Sequence, residues 1–253
     1  MHSPLRGKAA IISGSSSGLG AQIARELSML GARVVVNYPF LNLREDAMSL
    51  VTSLPTPGIA VEADISSITG PQILVDAAVA AYEEIDILVN NAGAAVDLAL
   101  EEQTLEHWDR LVNLNSRGVF LLTKAVLPHL AKKDSRIINI SSISAKEGTP
   151  YQTILAGTKG MLDAFTRVWA KELPPKYGCT VNSVSPGPMR TEAFNTAGQV
   201  LLDIIRPIIE KTPVAPRPAD TSEVAYGVVM LCLPRASWLN GLQLNVTGGL
   251  HIQ

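Results

Sequence analysis

The sequence predicts an α/β fold, a single domain in which helices cover both faces of a parallel β-sheet. Short β-rich runs alternate with longer helical patterns along all 253 residues, which is typical of βαβ units. Several strand candidates are almost purely apolar, among them Val34-Val35-Val36, as expected for strands that are buried on both sides. Apolar residues make up 47% of the chain and charged residues 17%, so the chain can bury a large core.

The elements follow one another in a regular order. Aliphatic and β-branched runs between turn residues predict seven strands, over residues 9–13, 33–37, 59–62, 85–90, 136–140, 180–184 and 243–246. Apolar residues at helical spacing predict helices over 19–30, 44–54, 71–82, 105–130, 151–173 and 221–233. We therefore expect one doubly wound, Rossmann-type domain over residues 1–253. Its seven-stranded sheet should have the order 3-2-1-4-5-6-7, with a ligand site at the carboxyl ends of the strands.

One stretch interrupts this alternation, from residue 191 to residue 218. It contains four prolines from Pro207 onward and a short predicted helix over 200–209. Long irregular connections are uncommon unless they cover a functional site, so we expect a substrate lid here. Its apolar side chains predict a hydrophobic substrate, such as a specialised metabolite. They are Phe194, Val200, Leu201, Leu202, Ile204 and Ile205.

Charge and cysteine content argue against several classes of protein. The formal net charge is −2 and the sequence has no basic stripe, which argues against binding of nucleic acid or acidic membranes. The sequence has no apolar stretch of membrane-spanning length, and we expect no secretion signal. The two cysteines, Cys179 and Cys232, form no disulfide framework and favour a reducing, cytoplasmic location. The four histidines lack the spacing of metal ligands, so we expect no metal site.

A glycine-rich turn follows the first predicted strand. It reads Ser13-Gly14-Ser15-Ser16-Ser17-Gly18-Leu19-Gly20 and leads into the first predicted helix. Its three glycines permit a tight turn and a close approach of the backbone to a pyrophosphate, and the helix N-terminus supplies unpaired N–H groups. The strand–turn–helix context indicates a dinucleotide-binding site.

The glycine spacing resembles that of the short-chain dehydrogenase/reductase family, and five later segments strengthen the resemblance over almost the whole chain. In order they are Asp64-Ile65, Asn90-Asn91-Ala92-Gly93, Ser141-Ser142, Pro186-Gly187-Pro188-Met189-Arg190-Thr191 and Asn245-Val246-Thr247-Gly248-Gly249. In the last segment, Thr247 replaces a more usual aspartate. The resemblance implies an NAD(P)-binding oxidoreductase that forms a homodimer or homotetramer through the helices predicted over 105–130 and 151–173.

The resemblance also implies which residues contact the cofactor. Asp64 and Ile65 would lie against the adenine, and Met189 and Thr191 along the nicotinamide. The full set is Gly14, Ser16, Gly18, Leu19, Gly20, Asn37, Asp64, Ile65, Asn91, Ala92, Gly93, Lys159, Pro186, Gly187, Met189 and Thr191.

The choice of coenzyme depends on the end of the second strand. An acidic residue there would hold the ribose hydroxyls of NAD(H) and repel the 2′-phosphate of NADP(H). Here the strand ends in Asn37-Tyr38, without a carboxylate, while Ser15, Ser16 and Arg44 are candidate donors to a phosphate. Many NADP(H)-using family members carry a basic residue where this chain has Ser17. On the missing carboxylate, NADP(H) is favoured over NAD(H).

Catalysis in the family rests on an Asn-Ser-Tyr-Lys group, and the chain matches three of its members. The resemblance assigns Asn115 to hold a proton-relay water, Ser142 to orient the substrate oxygen and Lys159 to bind the nicotinamide ribose. Leu155 stands where the tyrosine belongs, and leucine cannot supply the proton transfer that typically contributes about 10²–10⁴-fold. Tyr151, one turn earlier on the predicted helix, is a candidate substitute; the alternative is that it lines the pocket mouth or packs at the helix start.

Three functions remain open at this point. The first is an NADPH-dependent reductase with atypical proton donation, acting on an iminium ion, an enone or a carbonyl. The second is a non-redox catalyst, such as an isomerase, dehydratase or cyclase, in which the cofactor is structural. The third is a nucleotide-binding pseudoenzyme. The retained cofactor motifs and the predicted lid favour the reductase.

Overall fold

A seven-stranded parallel sheet forms the centre of the molecule. The computed structural model describes residues 3–191, 194 and 199–252. The strands of the sheet are β1 Ala9–Ile12, β2 Arg33–Tyr38, β3 Ile59–Glu62, β4 Ile87–Asn90, β5 Ser135–Ile140, β6 Cys179–Pro186 and β9 Gln243–Val246. Their order is β3-β2-β1-β4-β5-β6-β9, and every neighbouring pair is parallel. The predicted order is confirmed, since β9 is the seventh strand of this sheet.

Two further strands of two residues each were not predicted. Met189–Arg190 (β7) and Ala219–Asp220 (β8) pair in parallel at the two ends of the stretch that was predicted as a lid. The short helix predicted over 200–209 is present as the helix Gln199–Glu210. The lid prediction also includes residues 192–193 and 195–198, which lie outside the described residues.

Helices cover both faces of the sheet. They are α1 Gly18–Met29, α2 Arg44–Ser53, α3 Gly70–Tyr82, α4 Leu105–Val112, α5 Val119–Val126, α6 Ser144–Glu147, α7 Thr153–Glu172 and α8 Pro174–Tyr177, followed by Gln199–Glu210 and Thr221–Cys232. α1, α2 and the helix Thr221–Cys232 bury their apolar residues on one face, with Ala10 and Ile12 of β1. α3 and α5 cover the other face, with Ile11. Successive β1 residues therefore face two different cores, as the two-residue period of a strand requires.

Two predicted helices differ from the structure where the site is built. The helix predicted over 105–130 is interrupted by a π-helical turn, Asn113–Gly118, and ends with a 3₁₀ turn at Leu127–His129, where Pro128 breaks the α-helical pattern. The helix predicted over 151–173 begins only at Thr153. Tyr151 precedes the helix and has φ of 68°. The prediction that Tyr151 lies one helical turn before Leu155 is therefore wrong.

In the part of the chain that the structure describes, no helix is both long and apolar enough to cross a membrane.

Candidate active site

The glycine-rich turn connects the end of β1 with the first turn of α1. Gly14 and Gly18 have φ of 60° and 55°, a conformation that favours glycine. At Gly20 a Cβ atom would lie 2.5 Å from the carbonyl oxygen of Gly14, so α1 packs against the turn at a distance that requires glycine. Among the described residues, neither the N-cap Ser17 nor an acidic side chain caps the first turn of α1. Its N–H groups are therefore oriented to receive an anion such as a pyrophosphate.

Side-chain amides hold this turn in place. Asn37 accepts a hydrogen bond from Gly14 N on Oδ1 at 2.9 Å, and its Nδ2 donates to the Ala63 carbonyl at 2.9 Å. Asn91 Nδ2 donates to the carbonyl oxygens of Ser13 and Gly14, both at 2.9 Å. The side chain of Asn37 is only 1% exposed. Asn37 was predicted to contact the cofactor; in the structure its amide supports Gly14.

Ser15 is also turned into the protein. Its hydroxyl donates to the Ile12 carbonyl at 2.7 Å and accepts from Asn37 N at 2.9 Å, and the residue is fully buried. Of the three phosphate donors that the sequence offered, Ser16 remains partly exposed and Arg44 exposed. The inward orientation of Ser15 removes it from this set.

The other predicted cofactor residues lie along the carboxyl edge of the sheet. Asp64, after β3, accepts from the backbone N–H and the hydroxyl of Ser66 on Oδ1 at 2.9 and 2.7 Å, and Ile65 beside it is buried. Leu19, in the first turn of α1, is buried. Asn91, Ala92 and Gly93 follow β4, Pro186 and Gly187 lie at the end of β6, and Met189 and Thr191 lie in and after β7.

Asn115 lies in the π-helical turn and is fully buried. Its Oδ1 accepts from Ala94 N at 2.9 Å, and its Nδ2 donates to the Ala94 carbonyl at 2.9 Å and to Thr158 Oγ1 at 3.1 Å. The amide thus connects the loop after β4 to α7, and both of its protons are used. A relay water of the kind implied by the family would depend on other donors than this amide.

Lys159 lies beside Asn115 at the centre of the carboxyl edge. Its Nζ donates to the Ile140 carbonyl at 2.7 Å, and a Cβ at Gly93 would lie 3.3 Å from the same Nζ. Burial lowers the pKa of Lys159 to about 8, and Asp163, one turn further along α7, opposes this shift. An ammonium has three N–H donors, and one is used on Ile140. Among the described residues, the other two have no hydrogen-bond partner, and Gly93 beside them is exposed.

Ser142 is the first member of a chain of four hydrogen-bonded side chains, which we call the Asp97–Ser142 chain. Its hydroxyl donates to Ser144 Oγ at 3.0 Å and accepts from Ser144 N at 3.1 Å. Ser144 Oγ donates to Gln152 Oε1 at 2.5 Å, and Gln152 Nε2 donates to Asp97 Oδ1 at 2.5 Å. Of these four residues, only Ser142 was predicted as a site residue. Asp97 and Gln152 are 55 residues apart in loops, and no spacing signal connects them.

A cavity of about 650 Å³ opens beside this chain. All four members of the Asp97–Ser142 chain line it, and so does Leu155, which packs against Leu111 and Ile154 and is 8% exposed. From the predicted lid, Phe194, Ile205 and Ile208 also line the cavity. The cavity therefore combines one hydrogen-bonding wall with a largely apolar remainder, which suits a hydrophobic ligand that has a few polar atoms.

Tyr151 is not among the residues that line this cavity, and its side chain is 42% exposed. Its carbonyl oxygen accepts from Leu98 N at 3.1 Å, which holds the backbone in the left-handed conformation just before α7. The geometry gives no support to the suggested catalytic role of Tyr151. No cluster of three or more His, Cys, Asp or Glu side chains within the described residues is arranged to hold a metal ion.

These positions fit a bound dinucleotide. The uncapped N–H groups of α1 match a pyrophosphate, Asp64 and Ile65 follow β3 beside β2, where an adenosine would lie, and Lys159 Nζ has N–H groups left for a ribose. The cavity beside Ser142 would then lie next to the nicotinamide.

Comparisons with known proteins agree with this arrangement. A family model described as enoyl-(acyl carrier protein) reductase matches residues 14–251. The short-chain dehydrogenase/reductase FrzI of Cladobotryum sp. is 38% identical over 248 residues, which cover 96% of this chain and 95% of that protein.

Two solved structures with bound cofactor are similar in fold. The blue fluorescent protein from a metagenomic library, in complex with NADPH, superposes with a TM-score of 0.91 at 30% identity, covering 98% of this chain and 100% of that one. A short-chain dehydrogenase from Burkholderia cenocepacia J2315, in complex with NADP, has a TM-score of 0.89 at 30% identity, with 98% and 99% covered.

Proposed function

Because the chain belongs to the short-chain dehydrogenase/reductase family of NAD(P)-dependent oxidoreductases, we propose that it is an NADPH-dependent reductase of a hydrophobic small molecule in which position 155 supplies no proton. Leu155 takes the place of the family's catalytic tyrosine, four residues before Lys159 and so on the same face of α7. The observation that carries this proposal is that Leu155 lines the cavity beside Ser142. There it presents only carbon atoms to a substrate.

The chain's own residues bind and orient, while NADPH supplies the hydride when it is bound. The first turn of α1 receives the pyrophosphate, Lys159 holds the nicotinamide ribose, and Ser142 positions the polar atom of the substrate. The preference for NADP(H) is supported by the absence of a carboxylate at the end of β2 and by the exposure of Arg44 at the start of α2. It is also supported by the NADPH and NADP in the two similar solved structures.

An acceptor that needs no proton on oxygen suits this site best. Hydride addition to a ketone builds negative charge on the oxygen, which a nearby donor must stabilise. Hydride addition to an iminium ion gives a neutral amine, and addition to a conjugated acceptor allows the proton to arrive elsewhere, from water. A ketone would depend on Ser142, on a bound water or on Lys159, whose pKa burial lowers to about 8.

The segment 191–218 serves as the lid of this cavity in our proposal. Phe194, Ile205 and Ile208 contribute apolar side chains to its lining, which favours a substrate with a hydrophobic body. Apolar side chains that close over a substrate also exclude water from the reacting atoms.

Fluorescence titration of the purified protein with NADPH and NADH tests the cofactor part of the proposal. We expect NADPH to bind more tightly than NADH, and the Gly20→Ala variant, with its distorted turn, to bind NADPH about tenfold more weakly than the wild type. Cyclic imines, enones and ketones are then screened by the absorbance of reduced nicotinamide. Failure of the wild-type protein to bind either coenzyme would contradict the proposal. Turnover of a substrate without any change in that absorbance would favour the non-redox alternative.

A further inference from the structure

We infer that the Asp97–Ser142 chain makes Ser142 a hydrogen-bond acceptor toward the cavity and thereby selects a protonated imine as the substrate. This inference rests on the proposed reductase function and names the class of its substrate. It also assigns Asp97, Ser144 and Gln152 as positioning residues, which set the orientation of the Ser142 hydroxyl.

The direction in which protons are donated along the Asp97–Ser142 chain is fixed at Asp97. A carboxylate has acceptors only, so the atom of Gln152 that faces it at 2.5 Å must be the NH₂ group. Rotating the amide by half a turn would bring Gln152 Oε1 against Asp97 Oδ1, two acceptors at hydrogen-bond distance. Gln152 Oε1 therefore faces Ser144, where it accepts at 2.5 Å.

The two serines then have no freedom in their donor roles. A hydroxyl has one proton and two acceptor lone pairs. Ser144 uses its proton on Gln152, so toward Ser142 its hydroxyl oxygen accepts, and Ser142 uses its own proton on Ser144 at 3.0 Å. One lone pair of Ser142 is taken by Ser144 N. What Ser142 retains for the cavity is its second lone pair.

A lone pair at this point discriminates between electrophiles. The oxygen of a ketone or an enone offers lone pairs only, and it meets an acceptor at Ser142 and carbon atoms at Leu155. The N–H of a protonated imine is a donor, and it brings the positive charge that makes its carbon reactive toward hydride. Among the described residues that line the cavity, the charged groups are Asp97, Glu147 and Lys211, two carboxylates and one ammonium. This balance also favours a cation.

The reaction needs no acid from the protein. The iminium carbon receives a hydride with its two electrons, and NADPH is thereby oxidised to NADP⁺. The π pair of the C=N bond becomes the lone pair of the amine nitrogen, and the N–H proton stays where it was. The absence of a donor at position 155 is consistent with this chemistry, because no alkoxide is formed.

Asp97→Asn tests the direction of the chain with almost no change in shape. An asparagine amide can donate to Gln152 Oε1, which allows Gln152 to donate to Ser144 and Ser144 to donate to Ser142. The Ser142 proton is then free for the cavity. Ser144→Ala removes the acceptor of that proton by a second route and should act in the same direction. Asp109→Asn, on the exposed side of α4, removes the same charge at a distance and serves as the control.

The probes are dihydroisoquinoline, a cyclic imine, and α-tetralone, a ketone on a similar bicyclic skeleton. We expect the wild-type protein to have the higher kcat/KM for the imine. In Asp97→Asn and Ser144→Ala the imine-to-ketone ratio of kcat/KM should fall about tenfold or more, the usual effect of an unmatched buried hydrogen-bonding group. A wild-type preference for α-tetralone would overturn the inference, as would an unchanged ratio in Asp97→Asn.

A binding measurement separates this inference from the proposed function. Protonated tetrahydroisoquinoline is titrated by calorimetry into each protein in the presence of NADP⁺. We expect affinity to fall about tenfold in Asp97→Asn and in Ser144→Ala and to stay unchanged in Asp109→Asn. If no variant oxidises NADPH with any probe, the reductase proposal fails, yet a loss of ammonium affinity in Ser144→Ala, which keeps the Asp97 charge, still supports the donor–acceptor direction of the Asp97–Ser142 chain. Equal affinity in Asp97→Asn and wild type would contradict it.

Discussion

Replacing Leu155 with tyrosine should create ketone reduction in this cavity. Leu155 lines a space of about 650 Å³, so the phenol ring can extend into the cavity instead of displacing Leu111 or Ile154. Lys159 follows one turn later on α7, and a nearby ammonium stabilises a phenolate and lowers the pKa of the new tyrosine. A well-placed acid of this kind contributes about 10²–10⁴-fold, and we expect a gain of that size in kcat/KM for α-tetralone.

The matched control is Leu155→Phe, which adds the same ring without the hydroxyl. Consumption of NADPH is followed with α-tetralone for the wild type and both variants, at one pH and with saturating cofactor. Dihydroisoquinoline is measured alongside, and its reduction should gain nothing from the tyrosine, since no proton has to reach an oxygen. Equal rates on α-tetralone for Leu155→Tyr and Leu155→Phe would refute the assignment of position 155.

Three further predictions concern the cofactor end of the site. Since burial lowers the pKa of Lys159 to about 8, the ammonium is lost as the pH rises through that value. The dissociation constant of NADPH should therefore rise roughly fivefold between pH 8 and pH 9. Lys159→Met should remove this pH dependence. Gly20→Ala should weaken NADPH binding about tenfold, because overpacking costs about 1–3 kcal/mol. Gly157→Ala should leave binding unchanged, because a Cβ there would meet no described atom within 4 Å apart from its chain neighbours and the backbone of its own helix. Asn37→Asp places a carboxylate against the Ala63 carbonyl and should lower the free energy of unfolding by about 1–3 kcal/mol without conferring a preference for NADH, as chemical denaturation and coenzyme titration will show.

The sheet could be predicted from the sequence because its strands are buried on both faces. Continuous apolar strands need cover on both faces of a sheet, and the amphipathic helices between them provide it. The bounds of β3 and β9 were predicted to the residue. The family resemblance implied that Asn115 and Lys159 lie close together. In the structure, a Cβ added at Gly93 would lie 3.4 Å from Asn115 Oδ1 and 3.3 Å from Lys159 Nζ.

The orientation of individual side chains could not be predicted in the same way. Ser15 was predicted as a phosphate donor and Asn37 as a cofactor contact, yet both side chains point inward and are buried, and Asn37 N donates to the Ser15 hydroxyl. The start of α7 depended on the backbone of Tyr151, whose positive φ is uncommon for a residue with a Cβ. The contact between Asp97 and Gln152 joins two loops that only the complete fold brings together.

The hydrogen bonds of Asn37 and Asn91 to the glycine-rich turn have a consequence for the kinetics of cofactor capture. The Asn37 amide is anchored to the Ala63 carbonyl, and Asn91 follows directly after β4, so both amides hold the turn without any contact from a nucleotide. A loop that is already ordered loses little conformational entropy on association, and ordering a flexible one costs about 1–2 kcal/mol for each residue. Encounter with the dinucleotide should accordingly proceed in a single phase whose rate rises linearly with nucleotide concentration, as expected when no slow rearrangement of this turn precedes or follows docking.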